Sequence, residues 1–265
     1  MMTQQRHTEA PAACIWTQAG VLRDRLCDRG FACDSCPLDA ALRRVEPPDA
    51  CLDAGLTFET IAVSVPEGVA TLPPSLVQPF LRMDLCNECR YSPNHVWLRR
   101  DVSARYWCGL DSFAAALLPD DAIVVSAASG TRLDVGDPCA WIYSRDLALP
   151  ISAPIRGTLT AHRHDSTIPA ASIIAGPYSS GAIVAVLPES QDAGVAHTRS
   201  ALEQASHFRH DVRRLLAGLT RVARQHEIST GICLNDGGES VRSIRALLGD
   251  TAWSTFLRGF LCPAR

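Results

Sequence analysis

The stretch that decides the fold is Trp141–Gly157, WIYSRDLALPISAPIRG. Two short apolar arms flank a tip of Ser144, Arg145, Asp146 and Leu147, and Pro154 and Gly157 punctuate the far end. The segment reads as a β-hairpin closed by a Pro/Gly turn. Its tip carries one cation and one carboxylate, with no lysine in reach.

Lysine is missing from the whole chain: all 25 residues of the Lys+Arg class are arginine. Chemistry that needs a lysine amine is therefore excluded, including amide-linked lipoate or biotin, Schiff bases and a phosphate-loop lysine. The other bulk properties set limits without naming a function. The chain has 265 residues, 47% of them hydrophobic, which is enough for one or two domains with a buried core. A formal net charge of −3 gives no case for nucleic-acid binding. The N-terminus, MMTQQRHTEAPAA, lacks a basic start followed by an apolar run. Apolar runs such as GAIVAVL are far below the ~20 residues that span a bilayer. The expectation is a soluble, cytoplasmic protein with no membrane or nucleic-acid partner.

Eleven cysteines need an explanation. Cys14, Cys27, Cys33 and Cys36 fall close together, and Cys33 and Cys36 form a C-x-x-C knuckle whose spacing lets two thiolates bind one metal. The four are expected to form a structural zinc site, with an iron–sulfur cluster or free thiols as alternatives. A second C-x-x-C, Cys86 and Cys89, is read either as a possible second site, with Cys51 nearby, or as two small buried residues. Cys108, Cys139 and Cys233 lie in apolar surroundings and are assigned to the core.

Punctuation divides the chain. Residues 1–45 hold the cysteine cluster and a short helix, LDAALRRV. Residues 46–90, broken by PP, VPEG and LPPSLVQP, read as a linker with short elements. Residues 91–188 alternate short apolar runs with Gly, Pro and Asp, an all-β signature interrupted by one helix, LDSFAAALL. Residues 189–265 are helical. In the long helix Leu202, Phe208, Val212, Leu215, Leu219 and Val222 are expected on one apolar face, and Arg209, Arg213, Arg214, Arg221 and Arg224 on solvated faces. His162 and His164, in AHRH, read as an exposed turn rather than metal ligands. Neither a Gly-rich phosphate loop nor a Ser–His–Asp arrangement stands out.

Five motifs in order carry a resemblance. They are His95-Val96-Trp97, Gly109-Leu110-Asp111-Ser112-Phe113-Ala114, Val135-Gly136-Asp137, Ser152-Ala153-Pro154-Ile155-Arg156-Gly157 and Gly176-Pro177-Tyr178-Ser179-Ser180-Gly181. Residues 91–188 thereby resemble the glycine cleavage H protein, a lipoyl-type domain. The resemblance implies an α+β protein: a barrel-sandwich-hybrid β domain between an N-terminal Cys-rich metal module and a C-terminal helical segment. In that family a Glu-Ser-x-Lys tip presents the lipoyl lysine. Counting back from Ala153-Pro154 puts the lysine position at Asp146, with Ser144 as the retained serine and Tyr143 in place of glutamate. A carboxylate cannot accept lipoate through an amide. The expectation is a non-enzymatic binding or scaffold protein without lipoate. Its partners would be proteins, with glycine-cleavage or lipoate-handling enzymes as candidates. The alternative is a redox or metal sensor acting through the front cysteines.

Overall fold

The computed structural model describes residues 13–18, 25–27, 29–33, 36, 38, 55–64, 72, 74–145, 147–162, 167–190, 194–225 and 244–262. The chain divides into two compact units, Met1–Ala50 and Cys51–Arg265.

In the first unit a short helix α1 (Ile15–Gln18) follows Cys14. An antiparallel bridge joins Ala13 to Leu26, and the Cys14 N–H donates to the Arg25 carbonyl at 2.8 Å. Apart from Leu38, the expected helix LDAALRRV lies outside the described residues.

The second unit contains the expected β region and, from Cys51 on, the supposed linker. Strand β1 (Phe58–Ala62) pairs antiparallel with β2 (Arg82–Cys86), and helix α2 (Pro74–Leu81) precedes β2. Ile61, Phe80 and Leu85 are at most 1% exposed, in the same core as the later strands. Pro74 opens the helix, where its missing N–H needs no partner, while Pro79 sits inside it.

Ten strands follow: β3 (Arg90–Tyr91), β4 (Val96–Arg100), β5 (Tyr106–Leu110), β6 (Ile123–Ser126), β7 (Arg132–Leu133), β8 (Pro138–Ser144), β9 (Leu147–Ser152), β10 (Gly157–His162), β11 (Thr167–Pro169) and β12 (Ala182–Pro188). One sheet has the order β3-β4-β5-β12-β10-β7, the other β11-β6-β8-β9, and every pairing is antiparallel. Trp97, Leu110 and Val184 of the first sheet and Val124, Ile142 and Leu149 of the second share one core. Cys108 and Cys139 are buried there, as expected, while Cys233 lies outside the described residues.

Several motif residues have visible structural reasons. At Gly157 a Cβ would collide with the Leu187 carbonyl, so only glycine lets β10 approach β12 there. The Trp97 indole N–H donates to the Pro177 carbonyl at 2.9 Å, which ties the opening strand to the turn before β12. Asp111 caps helix α3 (Ser112–Leu117) by accepting the Ala114 N–H at 3.0 Å. A second helix, α4 (Ala170–Ala175), was not expected, because a six-residue apolar run has no helical period to display.

The C-terminal helices are α5 (Ala201–Gln225), α6 (Ile244–Leu248) and α7 (Asp250–Leu261). Ser200 and Glu203 form a reciprocal capping box: the Ser200 N–H donates to Glu203 at 2.7 Å and the Glu203 N–H to Ser200 at 3.3 Å. Phe208, Val212, Leu215, Leu216 and Leu219 are fully buried against β1, β2, β3 and α2. Leu202, expected on that face, is 76% exposed. The buried stripe runs through Ala201, Ala205 and Phe208, and Leu202 stands about 100° away from it. No described helix is long and apolar enough to cross a membrane.

Candidate functional site

The β8–β9 hairpin positions the candidate site. Ser144 pairs with Leu147, which leaves a two-residue loop of Arg145 and Asp146. Such loops need positive φ, and Arg145 has φ +48°. Asp146, the position the resemblance assigns to a lipoyl lysine, lies outside the described residues.

The residues beside it are held from the C-terminal end of the chain. Ser144 is 2% exposed and donates to Asp121 at 2.9 Å. Arg245, on α6, donates to Ser144 Oγ at 2.7 Å and to Asp121 Oδ1 at 3.1 Å. Its Nε bonds Asp250 at the start of α7, and its guanidinium lies 5.3 Å from the centroid of the Trp253 ring. Further along, Cys262 Sγ donates to the Pro150 carbonyl of β9 at 3.5 Å. One arginine therefore joins the hairpin, the loop before β6 and both final helices. A shallow cavity of about 250 Å³ opens beside this contact, lined by Ser144, Arg145, Leu147, Arg245, Trp253 and Ser254 among others.

Below the surface a second polar cluster joins the β sheets to α5. His95, 2% exposed, places Nδ1 2.9 Å from Asp111 and Nε2 3.5 Å from Asp211 on α5. Its ring stacks on Phe113 at 4.5 Å, and the Gln204 amide reaches Asp111 at 3.5 Å. Burial alone would lower the His95 pKa, but the two carboxylates, Asp111 foremost, push it up to about 9. Imidazolium is therefore the favoured form, hydrogen-bonded to Asp111 and ion-paired with Asp211. The sequence reading had His95 only as a motif residue. His95 and Asp111 recur in the first two motifs, which was the available signal, but Asp211 reads as one more charge on a polar face.

Cys27 Sγ accepts the Phe31 N–H at 3.2 Å, and the Cys36 N–H bonds the Cys33 carbonyl at 2.9 Å. Among the described residues, which include Cys14, Cys27, Cys33 and Cys36, no group of three or more His, Cys, Asp or Glu side chains is placed to hold a metal ion. Cys86 and Cys89 are both buried, and Cys51 lies outside the described residues. The side chain of His162, and His164 altogether, also lie outside them.

The comparisons with known proteins bear on the hairpin region. The family described as glycine cleavage H-protein matches residues 89–210. A glycine cleavage system H protein of an Enterobacter species is 32% identical over 94 residues, 36% of this chain and 73% of that protein. The chain belongs to the glycine cleavage H-protein family. The H protein of Methylobacillus flagellatus is 33% identical over 79 residues, 30% of this chain and 64% of that protein. A solved H protein from Mycobacterium marinum aligns with a TM-score of 0.39 and 22% identity, covering 46% of this chain and 98% of the other. The chain thus spans somewhat less than two thirds of the Methylobacillus H protein and 58% of the one from Cronobacter sakazakii. The H-protein match takes in His95, Asp111 and the hairpin, and it ends at residue 210, just before Asp211. Arg245 and Asp250 also lie outside it.

Proposed function

We propose that this H-protein family member is a non-catalytic protein-binding module that carries no lipoate. The observation that carries the reading is the side chain of Arg245, bonded to Ser144 and Asp121 beside a hairpin tip that has no lysine. An acceptor hairpin has to offer a free amine to a modifying enzyme. This one offers an arginine and a carboxylate, and its serine is tied to a helix from the other end of the unit. The domain supplies docking surfaces without a transferable group. Enzymes of glycine cleavage or lipoate handling are the partners that family membership favours. The cytoplasm is the compartment we assign it.

Co-expression with a lipoate ligase, followed by intact-mass analysis, should find the chain unmodified. Immobilised chain should retain a glycine-cleavage or lipoate-handling enzyme from purified components. A lipoyl adduct on the unaltered chain would refute the first half of the proposal, and retention of none of these enzymes the second.

For the first unit we propose a zinc site of Cys14, Cys27, Cys33 and Cys36, with an iron–sulfur cluster as the alternative. Cys27 already accepts a backbone N–H, as metal thiolates do, and binding would draw the other sulfurs in, so that metal affinity becomes folding free energy. One zinc per chain by elemental analysis, lost on Cys33→Ser, is expected. A metal-free chain whose four thiols all react removes the proposal.

A further inference from the structure

The second C-x-x-C is built differently from the other buried cysteines. Cys86 ends β2, Asn87 and Glu88 form the turn, and Cys89 precedes β3. The Cys89 N–H donates to the Cys86 carbonyl at 3.3 Å, closing a β-turn. The ends of such a turn lie within about 7 Å between Cα atoms. A disulfide needs about 4.4–6.8 Å, so the backbone already has nearly the required span.

The turn is pinned on both sides. Tyr91 Oη accepts the Cys86 N–H at 2.8 Å and donates to the Cys86 carbonyl at 2.9 Å. Glu88 accepts the Thr57 N–H at 3.0 Å and the Thr57 hydroxyl at 2.7 Å. Within this frame Cys86 Sγ donates to Glu88 Oε2 at 3.3 Å.

The two sulfurs are not equivalent. The neighbouring Cys89 thiol lowers the Cys86 pKa against the opposing effects of burial and of the Glu88 carboxylate, whereas burial raises that of Cys89. One is suited to attack as thiolate, the other to wait as thiol. Cys108 and Cys139, on separate strands, are both shifted upward by burial, Cys139 to about 12. They are core residues, and nothing prepares them for reaction.

We propose that Cys86 and Cys89 form a redox-active dithiol, oxidised by hydrogen peroxide to an intramolecular disulfide and restored by a dithiol reductant. Cys86 and Cys89 are 0% and 2% exposed while Asn87 and Glu88 between them are exposed, so peroxide and dithiol alike reach the sulfurs when this turn opens. Cys86 sulfur attacks one peroxide oxygen, the O–O bond breaks, and hydroxide leaves as water with the Cys86 proton. Cys86 is now a sulfenic acid. Cys89 sulfur then attacks Cys86 sulfur, the S–O bond breaks, and the second hydroxide leaves as water with the Cys89 proton. The two thiols lose two electrons and peroxide gains them. A dithiol returns two electrons and two protons to the pair.

The test is differential alkylation of the full chain with peptide mapping, before and after a brief stoichiometric peroxide pulse. Expected is loss of alkylation at both Cys86 and Cys89, a peptide joining them that lacks two hydrogens, and full recovery with dithiothreitol. Cys108 and Cys139 should stay thiols throughout. In Cys89→Ser, dimedone should trap a sulfenic acid at Cys86, and in Cys86→Ser no adduct should form at Cys89. The wild-type map stands by itself if either variant misfolds. The proposal is overturned if Cys86 and Cys89 stay alkylatable while other cysteines oxidise, or if Cys89→Ser folds and yields no adduct. It is equally overturned if the pair reacts only after a chelator strips a metal from it.

Discussion

Two charge clusters join the C-terminal helices to the β sheets, and they differ in depth. His95, Asp111 and Asp211 meet under the surface, with His95 and Asp111 at most 2% exposed. Arg245, Ser144, Asp121 and Asp250 meet at the rim, where the Asp121 and Asp250 side chains are 45% and 66% exposed. The chemistry is similar, one cation between two carboxylates. The energetics are not. A buried ion pair that loses one member leaves a charge with no solvent, whereas a rim pair hands its charges back to water. Breaking the inner cluster should therefore cost more stability than breaking the outer one.

The largest expected effect comes from removing both clusters' helices together. Truncation after Pro188 uncovers the apolar face that Phe208, Val212, Leu215 and Leu219 bury. Each such side chain contributes about 1.5–3 kcal/mol, so the sum is comparable to a whole domain's stability. Aggregation on gel filtration is expected. A monomeric fragment with unchanged melting temperature would show α5 to be a free arm and dissolve the comparison.

Next in size is His95→Ala, which strands Asp111 in the core and should cost about 3–5 kcal/mol in denaturant unfolding. The same cluster sets a pH dependence. The folded His95 pKa, about 9, stands above its ordinary 6.5, so its contribution is complete below about 6.5 and is lost as pH rises through about 9. Asp211 is shifted the other way: burial opposes ionisation, but the His95 hydrogen bond outweighs it, so that contribution fades in acid. A stability curve that stays level across pH 9 in wild type, or that still falls there in the variant, would contradict the assignment.

Arg245→Ala should be smallest in stability, about 1 kcal/mol or less, because its carboxylate partners are half exposed. Its effect should appear at the hairpin instead. Asp146→Lys supplies an acceptor amine, and lipoylation of Asp146→Lys combined with Arg245→Ala should exceed that of Asp146→Lys alone. Equal modification of the two would mean that the rim contact does not restrain the tip.

The sequence made local features legible and long-range ones illegible. The hairpin followed from its alternation and turn residues, and helix α3 from the run LDSFAAALL. Helix α2 was hidden because PSLVQPFL carries two prolines, and propensity argued against what core packing of Leu76 and Phe80 enforces. Leu202 was misplaced because periodicity, read without a fixed phase, tolerates a neighbour 100° off the stripe. Neither cluster could be read in advance. Asp211 is 116 positions from His95, and nothing in RSIRALLG marks Arg245 as more than a surface charge. The C-x-x-C at Cys86 was plain as spacing, and burial was one of its two readings, but the Glu88 contact exists only in the folded chain.

The separation of Arg245 from its partners orders events in time. It stands 124 residues after Asp121 and 101 after Ser144. During synthesis at about 5–20 residues per second the hairpin leaves the ribosome roughly 5–20 s before α6 does. The nascent domain thus passes through an interval in which its tip is open, and whatever binds the tip best in that interval competes with the chain's own last helices. The rim contact closes as a final act of synthesis, so a stalled or shortened chain would display a surface that the finished protein keeps covered.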